Sequence, residues 1–285
     1  MKKNEIHISI SLDHKFLVQA LTMLESLLNK KEQSDHLIIH VLDSGLTPMS
    51  RLILKSYLKR NFYAFKFYKI KFEKIENAPV SKHITIATYS RVFLSSIIDE
   101  NINRILYIDC DVIINSDISE LYHEDLSNFP IGACTEIIEL DDKKRLGLNL
   151  TDSYFNAGIL LLNLKKWRED NIEIQMVDFI NSYPERIKYW DQDVLNYCFK
   201  NNWKKLDPKY NVTHFYFYKD VYSPEYFGIS NEDYNEIVSN PKIIHFTSHK
   251  KPWIEGCDHP LAHLYLKNEL SLKKLIIDIL LCRKR

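Results

Sequence analysis

Glycine is scarce in this chain, at 6 of 285 residues, and none of it forms the Gly-x-Gly-x-x-Gly turn that seats a dinucleotide pyrophosphate. A dinucleotide cofactor is therefore not expected. The five cysteines stand at positions 110, 134, 198, 257 and 282. Their number is odd and no Cys-x-x-Cys occurs, which argues against structural zinc or a disulfide framework and for a reducing compartment. Neither sign of charge is in excess, with 38 basic and 38 acidic side chains, so no overall field draws the chain to nucleic acid. No apolar run reaches the roughly 18 residues of a membrane-spanning helix. The opening MKKNEIH also lacks an apolar signal core. A cytoplasmic protein is expected. There is no internal repeat or linker, and 45% of residues are hydrophobic, enough for one compact domain with a large core.

What is present begins as strand alternating with helix. Residues 6–12 form an apolar run closing on Asp13, and 17–28 carries its apolar residues at helical spacing. A second buried strand, 37–42, ends on Asp43. Thr47 suits an N-cap with Pro48 at the first helical position, opening a helix through residue 58. An aromatic-rich strand follows at 62–72. This β-α-β-α-β order is half of a doubly wound nucleotide-binding sheet.

Residues 105–108 read as a strand buried on both faces, and two carboxylates close it, Asp109 and Asp111, with Cys110 between. On an extended backbone they project from one face about 6.6 Å apart. At that distance they repel by about 2.5 kcal/mol at an effective dielectric of about 20. A divalent cation such as Mn²⁺ or Mg²⁺ would relieve this, since hard metals take oxygen ligands. The plainer reading is a pair of solvated loop carboxylates. A lone Asp-x-Asp arises by chance in a chain this long, and a second stands at Asp191 and Asp193. The position favours a ligand site, because ligands gather at the carboxyl ends of strands in open α/β sheets.

Farther on, a helix is predicted over 88–98 with Arg91 on its first turns, and a short strand over 131–135 ending at Glu136. The stretch 139–152 reads as loop with helical pieces, and 153–158 as a lead into a buried strand at 159–162. Helices are expected at 164–182, broken near Asn171, and at 192–200. Residues 207–240 are polar and aromatic with no period, and yield no order. A last core strand, 242–246, carries His245.

Four stretches now match one family. YIDCDV (107–112), YFNAGILLLNLKKWR (154–168), WDQDVLN (190–196) and His245-Phe-x4-Lys-Pro-Trp253 occur in the order and spacing of glycosyltransferase family 8. Within it the chain resembles the bacterial lipooligosaccharide α-galactosyltransferases. The likeness runs from the first strand to about residue 253 and rests on the four motifs jointly. It implies a GT-A fold, that is, an α/β domain with a Rossmann-like mixed central sheet flanked by helices. It also implies transfer of a hexosyl group, galactose or glucose, from a UDP-sugar to a glycan or glycoconjugate acceptor, with retention and with Mn²⁺, for which Mg²⁺ is a substitute.

By the resemblance, Asp109, Asp111 and His245 match metal ligands, and Lys251 a diphosphate partner. Asp13 matches a uracil contact, while Arg91, Asn156, Asp191 and Gln192 match donor-sugar contacts, with Gln192 close to the reacting face. Asp191 also suits a helix N-cap ahead of Gln192. Ala157 and Gly158 allow close backbone approach, and Glu136 stands near a family acidic position. Two departures occur: Ser248 replaces a usual glycine beside the diphosphate, and Lys15 a small polar residue in the nucleotide loop. One alternative is a haloacid-dehalogenase-type phosphatase using Asp109 and Asp111, with Asp141 and Asp142 as its second acidic pair. Another is a non-catalytic UDP-sugar-binding protein. The catalytic domain is expected over 1–262. Residues 263–285 form a basic amphipathic tail, which either packs on that domain or docks on an anionic membrane surface.

Overall fold

Ten strands form among the described residues, most of them on apolar runs: β1 (Asn4–Leu12), β2 (Asp35–Asp43), β3 (Ala64–Lys69), β4 (Arg104–Ile108), β5 (Val112–Ile114), β6 (Ile131–Glu136), β7 (Tyr154–Asn163), β8 (Lys204–Lys205), β9 (Val212–Thr213) and β10 (Ile243–His245). The computed structural model describes residues 4–33, 35–80, 86–218, 222–247 and 249–282. Seven strands form one sheet in the order β3-β2-β1-β4-β7-β6-β8. β1, β2, β3 and β4 run parallel, and β7 opposes both of its neighbours. Every residue of β7 but the last is buried, as expected of a strand covered on both faces. The chain passes from the edge strand β3 back to β4, beside β1. That reversal opens a crevice at the carboxyl ends of β1 and β4, where ligands settle in open α/β sheets.

A second, three-stranded sheet, β5-β10-β9, decides what meets at that crevice. β10 runs antiparallel to β5, placing His245 opposite Val112, and parallel to β9 with His245 opposite Thr213. The residue after Asp111 is thereby registered against His245, and the Phe246 N–H donates to the Asp111 carbonyl at 3.0 Å.

Several elements match their sequence reading, including the helices Leu17–Leu28 and Pro48–Asn61, with Thr47 accepting from Ser50 N–H as N-cap. The break near Asn171 is a left-handed residue, φ 53°, between the helices Leu164–Glu169 and Ile172–Ser182. Other expectations are corrected. The third strand is shorter than 62–72, since Phe62 still caps the preceding helix. Residues 154–158 belong to β7 itself. The predicted α-helix over 88–98 is a 3₁₀ segment, Ile86–Phe93, followed by one α-turn, Leu94–Ile97. In 3₁₀ winding, residues three apart eclipse, so Thr88 and Arg91 share a face, and both reach Asp191. The C-terminal helix, Ala262–Cys282, packs on Leu17–Leu28. Leu272 is buried in the main core and Asn29 donates to Asn268 at 3.1 Å, so this half of the tail takes the packing role. Ser248 and the side chains of residues 273–285 lie outside the described residues.

One buried polar chain in the sheet sets a pH limit. His7 Nδ1 lies 2.9 Å from His40 Nε2, and His40 Nδ1 lies 3.0 Å from the Tyr68 hydroxyl. Burial, with His7 and Lys66 nearby, pushes His40 down to about 3. The unfolded chain then takes up this proton first as pH falls from 6.5, so stability held above pH 6.5 is lost progressively towards pH 3. By pH 5 the His40 share amounts to about 2 kcal/mol. Urea unfolding at pH 7.5 and pH 5 should show this loss in the parent and a smaller one in His40→Gln. Equal losses in both would clear His40.

Candidate active site

The turn between β4 and β5 holds the acidic pair. The sequence reading kept the backbone extended through Asp111, but β4 ends at Ile108 and residues 109–111 turn. Within the turn the Cys110 thiol donates inward to the Ser11 carbonyl at 3.4 Å, while both carboxylates line the cleft outside. There the acidic pair meets the imidazole that β10 delivers. His245 Nε2 lies 3.2 Å from Asp111 Oδ1 and 4.0 Å from Asp109 Oδ2. One candidate ligand atom from each of the three lies within 4.8 Å of the others, the one such cluster among the described residues. Gly158 makes the approach possible, because a Cβ there would collide with the His245 ring and sit 3.0 Å from Asn156 Oδ1.

The positive charge that the acidic pair requires is supplied by two side chains. Lys251 Nζ lies 2.6 Å from Asp111 Oδ2 and also donates to the Phe246 carbonyl. Burial works against the Asp111 charge, yet Lys251 and His245 hold its carboxyl well below the usual range. Arg91 serves the other carboxylate. Its guanidinium stacks 4.1 Å from the Tyr107 ring, donates to Asp109 Oδ1 at 2.9 Å and to the Ala157 carbonyl, and sets Nε 2.8 Å from Asp191 Oδ2. This last contact is an ion pair out of line for a hydrogen bond, since neither atom has a hydrogen-bond partner. Burial raises Asp191 to about 6 against the pull of Arg91 and the Thr88 hydroxyl. Burial likewise raises Glu136 to about 7, although it accepts from Asn156 Nδ2 at 2.7 Å.

The helix Trp190–Phe199 locks onto β7 through two amides one turn apart. Asn196 both accepts from Phe155 N–H and donates to the Phe155 carbonyl, at 2.8 and 2.9 Å. Gln192 Oε1 accepts from Ala157 N–H at 2.9 Å and its Nε2 donates to the Tyr154 hydroxyl at 3.3 Å. The WDQDVLN and Asn-Ala-Gly stretches are thus two halves of one joint. Asp191 is not the helix N-cap, because the helix begins one residue earlier, at Trp190. Asp193, inside the helix, reaches back instead to the chain before it, accepting from the N–H groups of Lys188 and Tyr189 at 2.7 and 2.8 Å. It holds the bend in which Trp190 has a left-handed φ of 47°.

These groups line a cleft of about 490 Å³. The sequence matches the model of glycosyl transferase family 8 over residues 7–257. The chain belongs to that family. It is 31% identical over 269 residues to General stress protein A of Bacillus subtilis, covering 93% of each. It is 30% identical over 282 residues to a putative glycosyltransferase of Haemophilus influenzae, covering 96% of this chain and 80% of that one. A lipopolysaccharide 1,3-galactosyltransferase of Salmonella typhimurium is 28% identical over 203 residues, 68% of this chain and 57% of the relative. The crystal structure of galactosyltransferase LgtC, with donor and acceptor sugar analogs, superposes with a TM-score of 0.81 at 25% identity, covering 93% and 96% of the two chains. This family 8 protein is a glycosyltransferase with the GT-A fold.

Of the residues singled out in the sequence, Arg91, Asp109, Asp111, Asn156, Ala157, Gly158, Asp191, Gln192, His245 and Lys251 all line this cleft. Asp13 does not. It follows β1 and caps the 3₁₀ turn His14–Phe16, its carboxylate accepting from Lys15 N–H at 2.8 Å. The phosphatase alternative loses its second acidic pair: Asp141 is 94% exposed, while Asp142 is held by Lys188 at 2.9 Å and Arg145 at 3.3 Å, and neither lines the cleft. The sequence reading missed Thr88, His214, Phe215, Tyr222 and Tyr226, which also line it. The last three form an aromatic wall, with Phe215 and Tyr222 at 4.8 Å and Tyr222 and Tyr226 at 4.9 Å between ring centres. Only the aromatic richness of 207–240 hinted at them.

Proposed function

We propose that the protein transfers galactose or glucose from a UDP-sugar to a saccharide or other glycoconjugate acceptor in cell-surface glycan synthesis, retaining the anomeric configuration, and that Asp109, Asp111 and His245 hold Mn²⁺ or Mg²⁺. The observation that carries this reading is the convergence of those three side chains in one cleft of a family 8 chain. Two carboxylate oxygens and an imidazole nitrogen fit the donor set of Mn²⁺. The ion would supply Lewis-acid stabilisation of the diphosphate leaving group.

The chain's own residues do the rest. Lys251, with its ammonium beside Asp111, adds positive charge for the same diphosphate, and Ser248 is assigned to it from the sequence alone. Asp13 has a carboxylate oxygen to offer the uracil imide. Arg91 and Asp191, with Asn156, Ala157 and Gly158, position the sugar. Gln192, fixed between Ala157 N–H and Tyr154, shields the reacting face. The aromatic wall opposite suits the apolar face of an acceptor sugar ring. No helix among the described residues is long and apolar enough to cross a membrane. Leu266 and Leu270 are nevertheless exposed on the C-terminal helix ahead of the basic residues of the tail. An anionic cytoplasmic membrane surface presenting the acceptor is the partner this favours.

Two experiments test these points. With UDP-galactose or UDP-glucose and Mn²⁺, acceptor omitted, slow release of UDP is expected, stopped by EDTA. Early sugar product should be the α anomer by proton NMR, and Gln192→Ala should lower kcat more than donor affinity. A β product, or release indifferent to EDTA, overturns the reading. The full chain should float with anionic vesicles, but not neutral ones, and come off as salt rises. Binding that survives removal of residues 271–285 would exclude the tail as the anchor.

A further inference from the structure

The hydrogen bonds behind His245 form one chain, and its polarity is fixed at one end by the backbone. Gly158 N–H can only donate, and it reaches Asn156 Oδ1 at 2.8 Å. The amide of Asn156 is therefore oriented, and its Nδ2 faces Glu136 Oε2 at 2.7 Å. Asn211 meets the same Asn156 oxygen at 2.9 Å, so it must present its Nδ2 there. Its own oxygen is then left facing His245 Nδ1, at 2.9 Å. An amide oxygen only accepts, so His245 Nδ1 carries a proton, and Nε2 faces Asp111 and Asp109. Asn211, Asn156 and His245 are 2%, 6% and 4% exposed, which shields these bonds from exchange with water.

We propose that Asn211 is a positioning residue that holds His245 in its Nδ1-protonated form and turns Nε2 towards the acidic pair. Asn211 stands immediately before β9, whose pairing with β10 brings it to His245. Through Asn156 it also ties the imidazole to a residue assigned to the donor sugar, so the two ends of the cleft share one network. The inference rests on the metal reading above. A ligating histidine depends on the partner of its other nitrogen, and loss of that partner typically weakens metal binding about 10–100-fold.

Long-range proton–nitrogen correlation spectra of the metal-free full chain at pH 8 should show a proton on His245 Nδ1. A bare Nδ1 overturns the proposal, whatever the variants do. Mn²⁺ binding, followed by paramagnetic resonance of the free ion with and without UDP, is then compared in three proteins. Asn211→Leu should bind Mn²⁺ about 10–100-fold more weakly, with UDP affinity in EDTA unchanged. Asn211→Asp keeps an acceptor for Nδ1 and should stay within a few-fold of the parent. Asn211→Leu that is folded and binds Mn²⁺ like the parent overturns the positioning role alone. A parent chain that binds no Mn²⁺ overturns the metal reading and the consequence drawn for affinity, while the spectrum still decides whether Nδ1 carries the proton that Asn211 accepts.

Discussion

Asp111→Asn is expected to cut sugar transfer about a thousandfold, roughly 4 kcal/mol of transition-state stabilisation, in a protein that remains folded. Asparagine keeps the shape of the side chain and removes its charge. The cleft sets Asp109, Asp111 and Asp191 against Arg91 and Lys251, so an added divalent cation offsets acidic charge that would repel a diphosphate. Cation and UDP should therefore each tighten the other's binding by the same factor. Calorimetric titration of UDP in Mn²⁺ and in EDTA measures that factor. The parent should bind UDP more tightly in Mn²⁺, and Asp111→Asn should bind it equally in both. A parent that makes no distinction would end this account of the acidic pair.

The second large effect concerns stability. Arg91 is buried at 5% exposure and serves Asp109, Asp191 and the Ala157 carbonyl from one guanidinium. Burial opposes its charge, but the two carboxylates hold its pKa above the usual value. Arg91→Leu removes the cation and leaves both acids uncompensated. The expected loss is about 4 kcal/mol, or roughly 10 °C in Tm. Adding Asp191→Asn should restore part of it, because one orphaned charge is gone. Losses that merely add would mean that the pair is not coupled.

The large apolar elements were legible because their periods are long and unambiguous. β1, β2 and the helix Leu17–Leu28 each carry enough core residues to fix their type. In the cleft the acidic pair, Asp109 and Asp111, was legible from its place at the end of a buried strand, whereas His245 and Gln192 were legible only through the family resemblance. The turn at 109–111 was not, because Asp-x-Asp spacing reads the same on a strand and beyond one. Ile86–Phe93 was misread because spacings of three and four hardly differ over two turns. Residues 207–240 stayed dark because β9 has two residues and Pro224–Phe227 four, and because the helix Asn231–Ser239 buries only Tyr234 and Ile237, too few to show a period. Asn211 lies in that region, and its role follows from register between strands distant in sequence.

The small sheet carries a consequence for the order in which the cleft is built during synthesis. The seven-stranded sheet draws its last strand from Lys204–Lys205, whereas β10 follows only at Ile243–His245, and Lys251 lies 140 residues beyond its partner Asp111. A nascent chain emerging from its N-terminus can lay down the main sheet with the acidic pair in place before either the imidazole or the ammonium exists. Until then Asp111 lacks its neutralising partner, and donor has no complete cradle. The pairing of β10 between β5 and β9 thus completes the cleft last, and competence for catalysis waits on the synthesis of residues 243–251.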